Sequence, residues 1–438
     1  MQFLNYLKRI FQAPDLRNKI LFTIFCIVIF RTAAHITVPG VDPATLQGLF
    51  EQNELLGVFS ILTGGSLENF SIVLMGLTPY INASIIMQLM TVVVPHLEEL
   101  SKEGEQGRQK INAYTRWLTF PLAFVQSYGM IMLLNRSASA GGSELIPNIS
   151  DPLVILPIML MVSAGTVFLM WLGEMMTERG IGNGISMLIF ASIVAGIPPV
   201  LGQTLGIAQF DQSKLIPFVI LLAITVALTI LVVLVTEGSR PVPVTYAGRS
   251  GMRGSESVLP IRINQAGMIP IIFAVSLVTF PTIIAQFMQG SESASVRAVA
   301  TFILNNLNGA SPGFLYILLY LGFILAFTFF YVSITFNPNQ VAENIQKRGG
   351  FVPGIRPGRE TAEYLGGISS RLNLWGGLFL GFVAITPILL TKFFTTQAFG
   401  SVPLLISGAG LIIVVGVILE LIRQINAQLI MHDYEKFT

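Results

Sequence analysis

The residues able to do chemistry in this chain are few and poorly matched. His35, His96 and His432 are far apart in sequence, and Cys26 is the single cysteine. That excludes an internal disulfide and leaves no Cys/His spacing for a metal. No lysine follows a glycine, so the Gly-Lys-Ser/Thr phosphate loop is missing and nucleotide is not hydrolysed through it. Ser407-Gly408-Ala409-Gly410 has the look of a nucleophile turn, but no histidine accompanies it at matching depth. Glu174, Glu178, Glu237 and Glu420 sit near the ends of apolar runs rather than at their middles. Proton-coupled transport wants a buried carboxylate, so it is disfavoured, while sodium coupling through backbone carbonyls stays open. Arg31 alone lies well within an apolar run. It can snorkel outward, pair with a carboxylate such as Glu68, or serve as a structural anchor.

The elements around these residues are apolar. Of 438 residues, 53% are hydrophobic and only 11% charged, against about 25% charged in ordinary soluble domains. Such a chain cannot make a charged skin, so a soluble multidomain enzyme and a disordered scaffold are both disfavoured. A spanning helix needs about 20 mostly apolar residues. Ten runs qualify: 20–38, 72–94, 114–134, 153–173, 183–201, 215–236, 266–288, 313–336, 373–394 and 402–425. They are continuously apolar rather than alternating, which excludes a β-barrel. The first is a span and not a cleaved leader, since no small-x-small site follows it.

Charge fixes the orientation. With the N-terminus inside, 20 of the 25 Lys and Arg fall in inner segments and four in outer ones. This predicts cytoplasmic termini and an even number of spans. Ten spans divide into halves 1–205 and 206–438 that insert in opposite senses, the inverted arrangement of many transport proteins. That division rests on topology, since no residue-level repeat stands out. Two inner segments, 237–265 and 337–372, are long, basic and rich in Gly and Pro. They read as docking surfaces or as charge clusters that only set topology. Segment 40–71 holds an apolar stretch too short to span, interrupted at Gly64-Gly65. It is either re-entrant or an amphipathic surface loop. Gly76, Pro79, Asn82 and Gln88 in the second span, and Gln265, Gly267, Pro270 and Pro281 in the seventh, place polar and helix-bending residues at depth. They suit helices that move against neighbours as well as helices packed statically.

Several blocks then resemble the SecY family, the central subunit of the bacterial Sec protein translocon. They are Gly64-Gly65-Ser66, Gly76-Leu77-Thr78-Pro79-Tyr80-Ile81-Asn82-Ala83-Ser84, Lys102-Glu103-Gly104-Glu105, Met170-Trp171-Leu172-Gly173-Glu174, Thr177 through Ser186, and Phe351 through Gly358. The resemblance covers almost the whole chain, in order.

It implies an all-α polytopic membrane protein of ten transmembrane helices in two inverted halves around an hourglass pore. A re-entrant plug helix would occupy about 58–70. A ring of aliphatic side chains would narrow the pore at Leu77, Ile81, Ile189, Ile272 and Ile413. Such a constriction dewets and blocks ions, yet yields to a passing chain. Asn82 and Gln88 would be polar residues of a lateral gate into lipid. Arg249, Arg253, Arg356 and Arg359 would dock the SecA motor or the ribosome. The first of these loops lacks the arginine doublet usual around Arg253, and the C-terminus lacks the longer basic tail of some members.

The resemblance further implies a passive protein-conducting channel, not an enzyme, that passes unfolded preproteins and releases apolar segments laterally. SecE and SecG would be its companion subunits, SecA or the translating ribosome its energy source. No cofactor or metal is implied. The bacterial plasma membrane is the expected home, with a thylakoid membrane open. Two rivals are a small-solute transporter, which needs midplane polar or charged ligands, and an intramembrane enzyme such as a protease or acyltransferase, which needs a nucleophile with its base.

Overall fold

The computed structural model describes residues 13–41, 45–46, 69–140, 145–149, 151–210, 215–246, 257–289, 293–307, 313–395 and 407–435. Each of the ten apolar runs holds a helix. In chain order the elements begin with α1 (Pro14–Ala33), α2 (Thr78–Val93), α3 (Pro95–Lys102), α4 (Glu105–Ala140), α5 (Pro152–Arg179) and α6 (Gly184–Phe210). There follow α7 (Leu215–Glu237), β1 (Ser239–Tyr246), β2 (Ser257–Arg262), α8 (Ile269–Met288), α9 (Ala294–Leu307) and α10 (Phe314–Thr335). The last are α11 (Pro338–Lys347), β3 (Gly350–Phe351), α12 (Arg359–Thr395) and α13 (Gly408–Glu435).

Among the described residues seven helices are long and apolar enough to cross a membrane, and α2 and α3 are together apolar enough for one more but are bent by 100°. The bend falls at Val94, in extended conformation before Pro95, because a residue preceding proline is pushed out of the helical region. The remaining two runs hold α1, which carries Asp15, Arg17, Lys19 and Arg31, and α8, with the shorter apolar stretch Ile269–Thr282. Proline occupies the first turn of α1, α2, α3, α5 and α11, where its missing N–H costs nothing. Apolar side chains such as Ile216, Val219, Val226 and Leu234 of α7 stand exposed, as suits a helix solvated by lipid rather than water.

The chain forms two compact units. The first comprises 1–209, 279–313 and 417–438, the second 210–278 and 314–416. In the first, α2 and α5 pack on α4 around Leu74, Ile131, Leu134 and Val162. The buried amide of Asn135 accepts from the Ile146 N–H at 3.0 Å and ties the segment after α4 back onto it. At one end of this unit Ala13, Leu16, Ile181 and Ile425 form a smaller core.

In the second unit α10 packs along α12. Gly377 and Gly381 leave room there for Thr328 and Leu321. Beyond these helices lies a feature the helical reading did not include, a three-stranded antiparallel sheet in the order β2-β1-β3. The central strand β1 contains Pro241 and Pro243, and prolines avoid central strands because they cannot donate to the ladder. The register resolves this. β2 pairs with Ser239 to Val244, whereas β3 meets only Thr245 and Tyr246. Along its prolines β1 therefore has a neighbour on one side alone.

Candidate functional site

The structure brings the second and seventh apolar runs into a common local design. Before α2, an isolated bridge pairs Thr37 with Ser71, with Val38 N–H donating to Phe70 O and Ile72 N–H to Ile36 O, both at 3.0 Å. Before α8, β1 pairs with β2, and Ile263 N–H donates to Gly238 O at 3.0 Å. Each pairing is followed by a glycine in the left-handed region, Gly76 at φ +55° and Gly267 at φ +65°. Each glycine opens a Gly-x-x-Pro quartet, Gly76-Leu77-Thr78-Pro79 and Gly267-Met268-Ile269-Pro270. Ile81 and Ile272 stand at equal distances after the two glycines. This local match between the starts of α2 and α8 did not stand out in the sequence. Only glycine adopts that φ without strain, and proline then starts the helix.

The first-turn hydrogen bonds place the side chains. Ile81 N–H donates to Leu77 O at 2.9 Å, so Leu77 and Ile81 lie one turn apart on one face of α2. Leu77 is buried and Ile81 half-buried. Ile189 on α6 and Ile272 on α8 are half-buried, and Ile413 on α13 is buried. Within the second unit a Cβ built on Gly416 of α13 would lie 3.6 Å from the Sδ of Met268, the residue before α8. Ile272 and Ile413 are each about one turn from that approach. Leu77, Ile81 and Ile189 belong to the first unit, Ile272 and Ile413 to the second.

Asn82 is half-buried, and Gln88 donates to Ser84 Oγ of its own helix at 3.4 Å. The segment proposed as a plug, 58–70, lies outside the described residues apart from its last two.

The long turn between α5 and α6 explains the most distinctive sequence block. Thr177 Oγ1 accepts from Gly184 N–H at 2.9 Å, and Asn183 Oδ1 caps α6 by accepting from Ser186 N–H at 3.1 Å. Ile181 N–H donates to Thr23 Oγ1 at 3.2 Å, which holds α1 to this turn. A Cβ on Gly184 would run into the Gly173 carbonyl. These residues serve architecture rather than chemistry.

The described parts of the two basic segments share one folded core. Val242 and Val244 of β1, Ile261 of β2, Ile345 of α11, Val352, and Leu365 and Ile368 of α12 share a core. On top of it, Val352 and Ile355 hold the loop Pro353 to Gly358, with Ile355 N–H donating to Val352 O at 3.1 Å. Thr361 Oγ1 donates to Arg356 O at 2.8 Å. The loop thus projects Arg356, whose side chain is 87% exposed and meets Glu360 only at 3.9 Å. Arg359 is equally exposed and pairs with Glu363 at 2.9 Å. Arg249 and Arg253 lie outside the described residues. What this arrangement can do is present exposed guanidinium groups to an acidic partner.

Ser407 Oγ accepts from Gly410 N–H at 3.0 Å and caps α13. Among the described residues no group of three His, Cys, Asp or Glu could hold a metal. Arg31 lies in the last turn of α1, where a cation offsets the helix dipole. Sequence reading missed Gly165, which lets α5 touch the backbone of Ile72 just before α2. Its neighbours Ala164 and Thr166 gave only the signal of a small-residue helix face.

Comparison with known proteins agrees with this architecture. Residues 71–422 match the SecY family model. The chain is 41% identical to the protein translocase subunit SecY of Corynebacterium glutamicum, over 97% of this chain and 98% of that one. It is also 41% identical to the subunit of the same name from Pseudomonas aeruginosa, over 96% and 92%. Among solved structures it is similar to a protein conducting channel, with a TM-score of 0.63 and 17% identity over 94% of this chain and 92% of that one. Sec61 in the canine ribosome-channel complex gives 0.60 and 18%, with the same coverage.

Proposed function

The chain belongs to the SecY family, a multi-pass membrane protein of that fold, and from that premise we propose that it is a protein-conducting channel. It passes unfolded preproteins across the membrane and releases apolar segments sideways into lipid. The observation that carries this reading is the 41% identity to translocase subunits across essentially the full length of both chains.

In this reading 1–205 and 206–438 are the inverted halves, and Leu77, Ile81, Ile189, Ile272 and Ile413 form the constriction. The paired Gly-x-x-Pro openings of α2 and α8 support it, because they give two helices of opposite sense the same start. Asn82 and Gln88 border the lateral gate, and 58–70 is the plug. Both termini and the folded basic body face the cytoplasm of a bacterial cell. There Arg356 and Arg359, with Arg249 and Arg253, receive the SecA motor or the ribosome. The channel hydrolyses nothing itself. SecE and SecG complete it, and the motor or the ribosome supplies the energy.

The test is reconstitution with SecE and SecA in liposomes, reading ATP-dependent protection of an unfolded preprotein from external protease. Protection by the wild type, lost in Arg356→Glu, supports both the channel and the docking role. Protection in both retires the Arg356 assignment. No protection with partners proven active on another channel retires the function.

A further inference from the structure

One face of α12 grips the turn that opens α8. Ser369, Asn373 and Gly376 follow one another at four and three residues and so line that face. A Cβ built on Gly376 would lie 2.7 Å from the Ile263 carbonyl oxygen, so the helix backbone presses on the start of the turn. Asn264 is buried, and its Oδ1 accepts from Gly267 N–H at 3.0 Å, which stiffens the turn. Gln265 reaches α12 through its side chain, where its Oε1 accepts from Ser369 Oγ at 3.0 Å. Ser369 Oγ accepts in turn from Asn373 Nδ2 at 3.4 Å.

These three side chains make two bonds where three are possible. Left over are Gln265 Nε2 and Asn373 Oδ1, both buried and both without a partner. One is a donor and the other an acceptor, and each belongs to an amide already bonded to the same hydroxyl. Turning both amides end for end reverses the chain of bonds and still leaves one nitrogen and one oxygen over, on opposite residues. Unpaired buried polar groups are costly, and native structures rarely leave them so. Here each is the partner the other lacks. A bond from Gln265 Nε2 to Asn373 Oδ1 closes the three side chains into a ring and satisfies both.

We propose that Gln265 is the positioning residue of α8 and has two positions on α12. In the first, that of this structure, Ser369 alone holds it. In the second it bonds to Asn373 as well, and the turn is drawn toward that residue. Ser369 and Asn373 are one helical turn apart, so the two positions differ by less than about 5 Å. The stiffened turn leads directly into α8, and the helix moves with it. Ile272 lies seven residues beyond Gln265 and is carried along. A packed element with two discrete arrangements is what allows a helix to shift between defined places. In a channel this sets the place of a constriction residue. That consequence rests on the channel reading, whereas the two positions do not.

The experiment uses the chain with its companion subunits in phospholipid nanodiscs. Ile272→Cys is introduced, and its rate of maleimide labelling is read by mass spectrometry. The native Cys26, which is buried, reports general loosening in the same sample. Ser369→Ala removes the bridge and leaves only the direct bond, with no harm to α12, since alanine is the best helix former. Gln265→Met removes both. We expect these two variants to label at 272 at rates that differ several-fold, with Cys26 unchanged. Equal rates overturn the second position, and Cys26 rising together with 272 reduces the network to general scaffolding. A double-mutant cycle in mild detergent supplies a second measurement. In the Ser369→Ala background only the direct bond links the two amides, so Gln265→Met and Asn373→Leu should shift the SDS-titration midpoint non-additively. Additive shifts overturn the proposal. The preprotein assay keeps the two readings apart. Non-additive midpoints with no transport by the wild type retire the channel and keep the two positions, and transport with additive midpoints does the reverse.

Discussion

Gly267 offers a perturbation whose energy has a single source. Its φ is +65°, and a Cβ built on it meets nothing within 4 Å. Gly267→Ala therefore adds no clash, and its cost is that of holding an L-residue in the left-handed region, about 1–2 kcal/mol. That moves the folding equilibrium roughly 5- to 30-fold. Gly367 is the internal control. It is exposed within α12, a Cβ there also meets nothing within 4 Å, and no positive φ applies. Alanine there replaces a poor helix former with the best one and gains up to about 1 kcal/mol. The same chemical change should thus move stability in opposite directions at two open positions, with a separation of about 2–3 kcal/mol. Gly267→Asn should cost less than Ala, because asparagine tolerates this region, and Gly267→Val should cost most. The assay is SDS titration of each variant in mild detergent, following helix content and tryptophan fluorescence. If Gly267→Ala and Gly367→Ala shift the midpoint in the same direction, or if Asn and Val at 267 are equivalent, the left-handed turn is not what opens α8.

Two further outcomes follow from packing. Gly165→Ala drives a Cβ into the backbone carbonyl of Ile72 and should cost about 3 kcal/mol, since rigid overpacking typically costs 1–3 and occasionally more; an unchanged midpoint in the same titration refutes the close approach of α5. Leu365→Ala empties a fully buried site in the core beneath the basic loop and should cost about 2–5 kcal/mol. Hydrogen exchange should then show β1 and β2 losing protection together, whereas Arg356→Glu should shift stability by no more than about 0.5 kcal/mol; full protection of β1 in Leu365→Ala would mean the strands do not share that core.

What sequence makes legible is local. Each of the ten apolar runs holds a helix, because the bilayer demands internal satisfaction of every backbone group over about 20 residues. The exposed arginine at 356 was also legible, since Pro and Gly on both sides of it mark a stiff turn. The residues proposed for the constriction were not. Leu77 and Ile413 are aliphatic side chains among dozens, and only resemblance to a family singled them out. Ser407 shows the opposite case, in which a suggestive turn proves to be a helix cap.

Hydropathy and charge, read along one dimension, determined that this protein lives in a membrane as a bundle of helices with basic segments between them. Whether those segments were two separate loops was beyond that reading. The pairing of Tyr246 with Gly350 and the core shared by Val244 and Leu365 join residues about a hundred positions apart. No periodicity encodes such a contact, because its stability comes from apolar area buried between segments and not from either one alone. The matched starts of α2 and α8 were in the sequence all along, as a glycine and a proline three residues apart. Amid so many glycines and prolines that pattern is indistinct. What sets these two quartets apart is that each left-handed glycine leads straight into an apolar helix, whereas Gly354, also left-handed and three residues before a proline, lies in a loop.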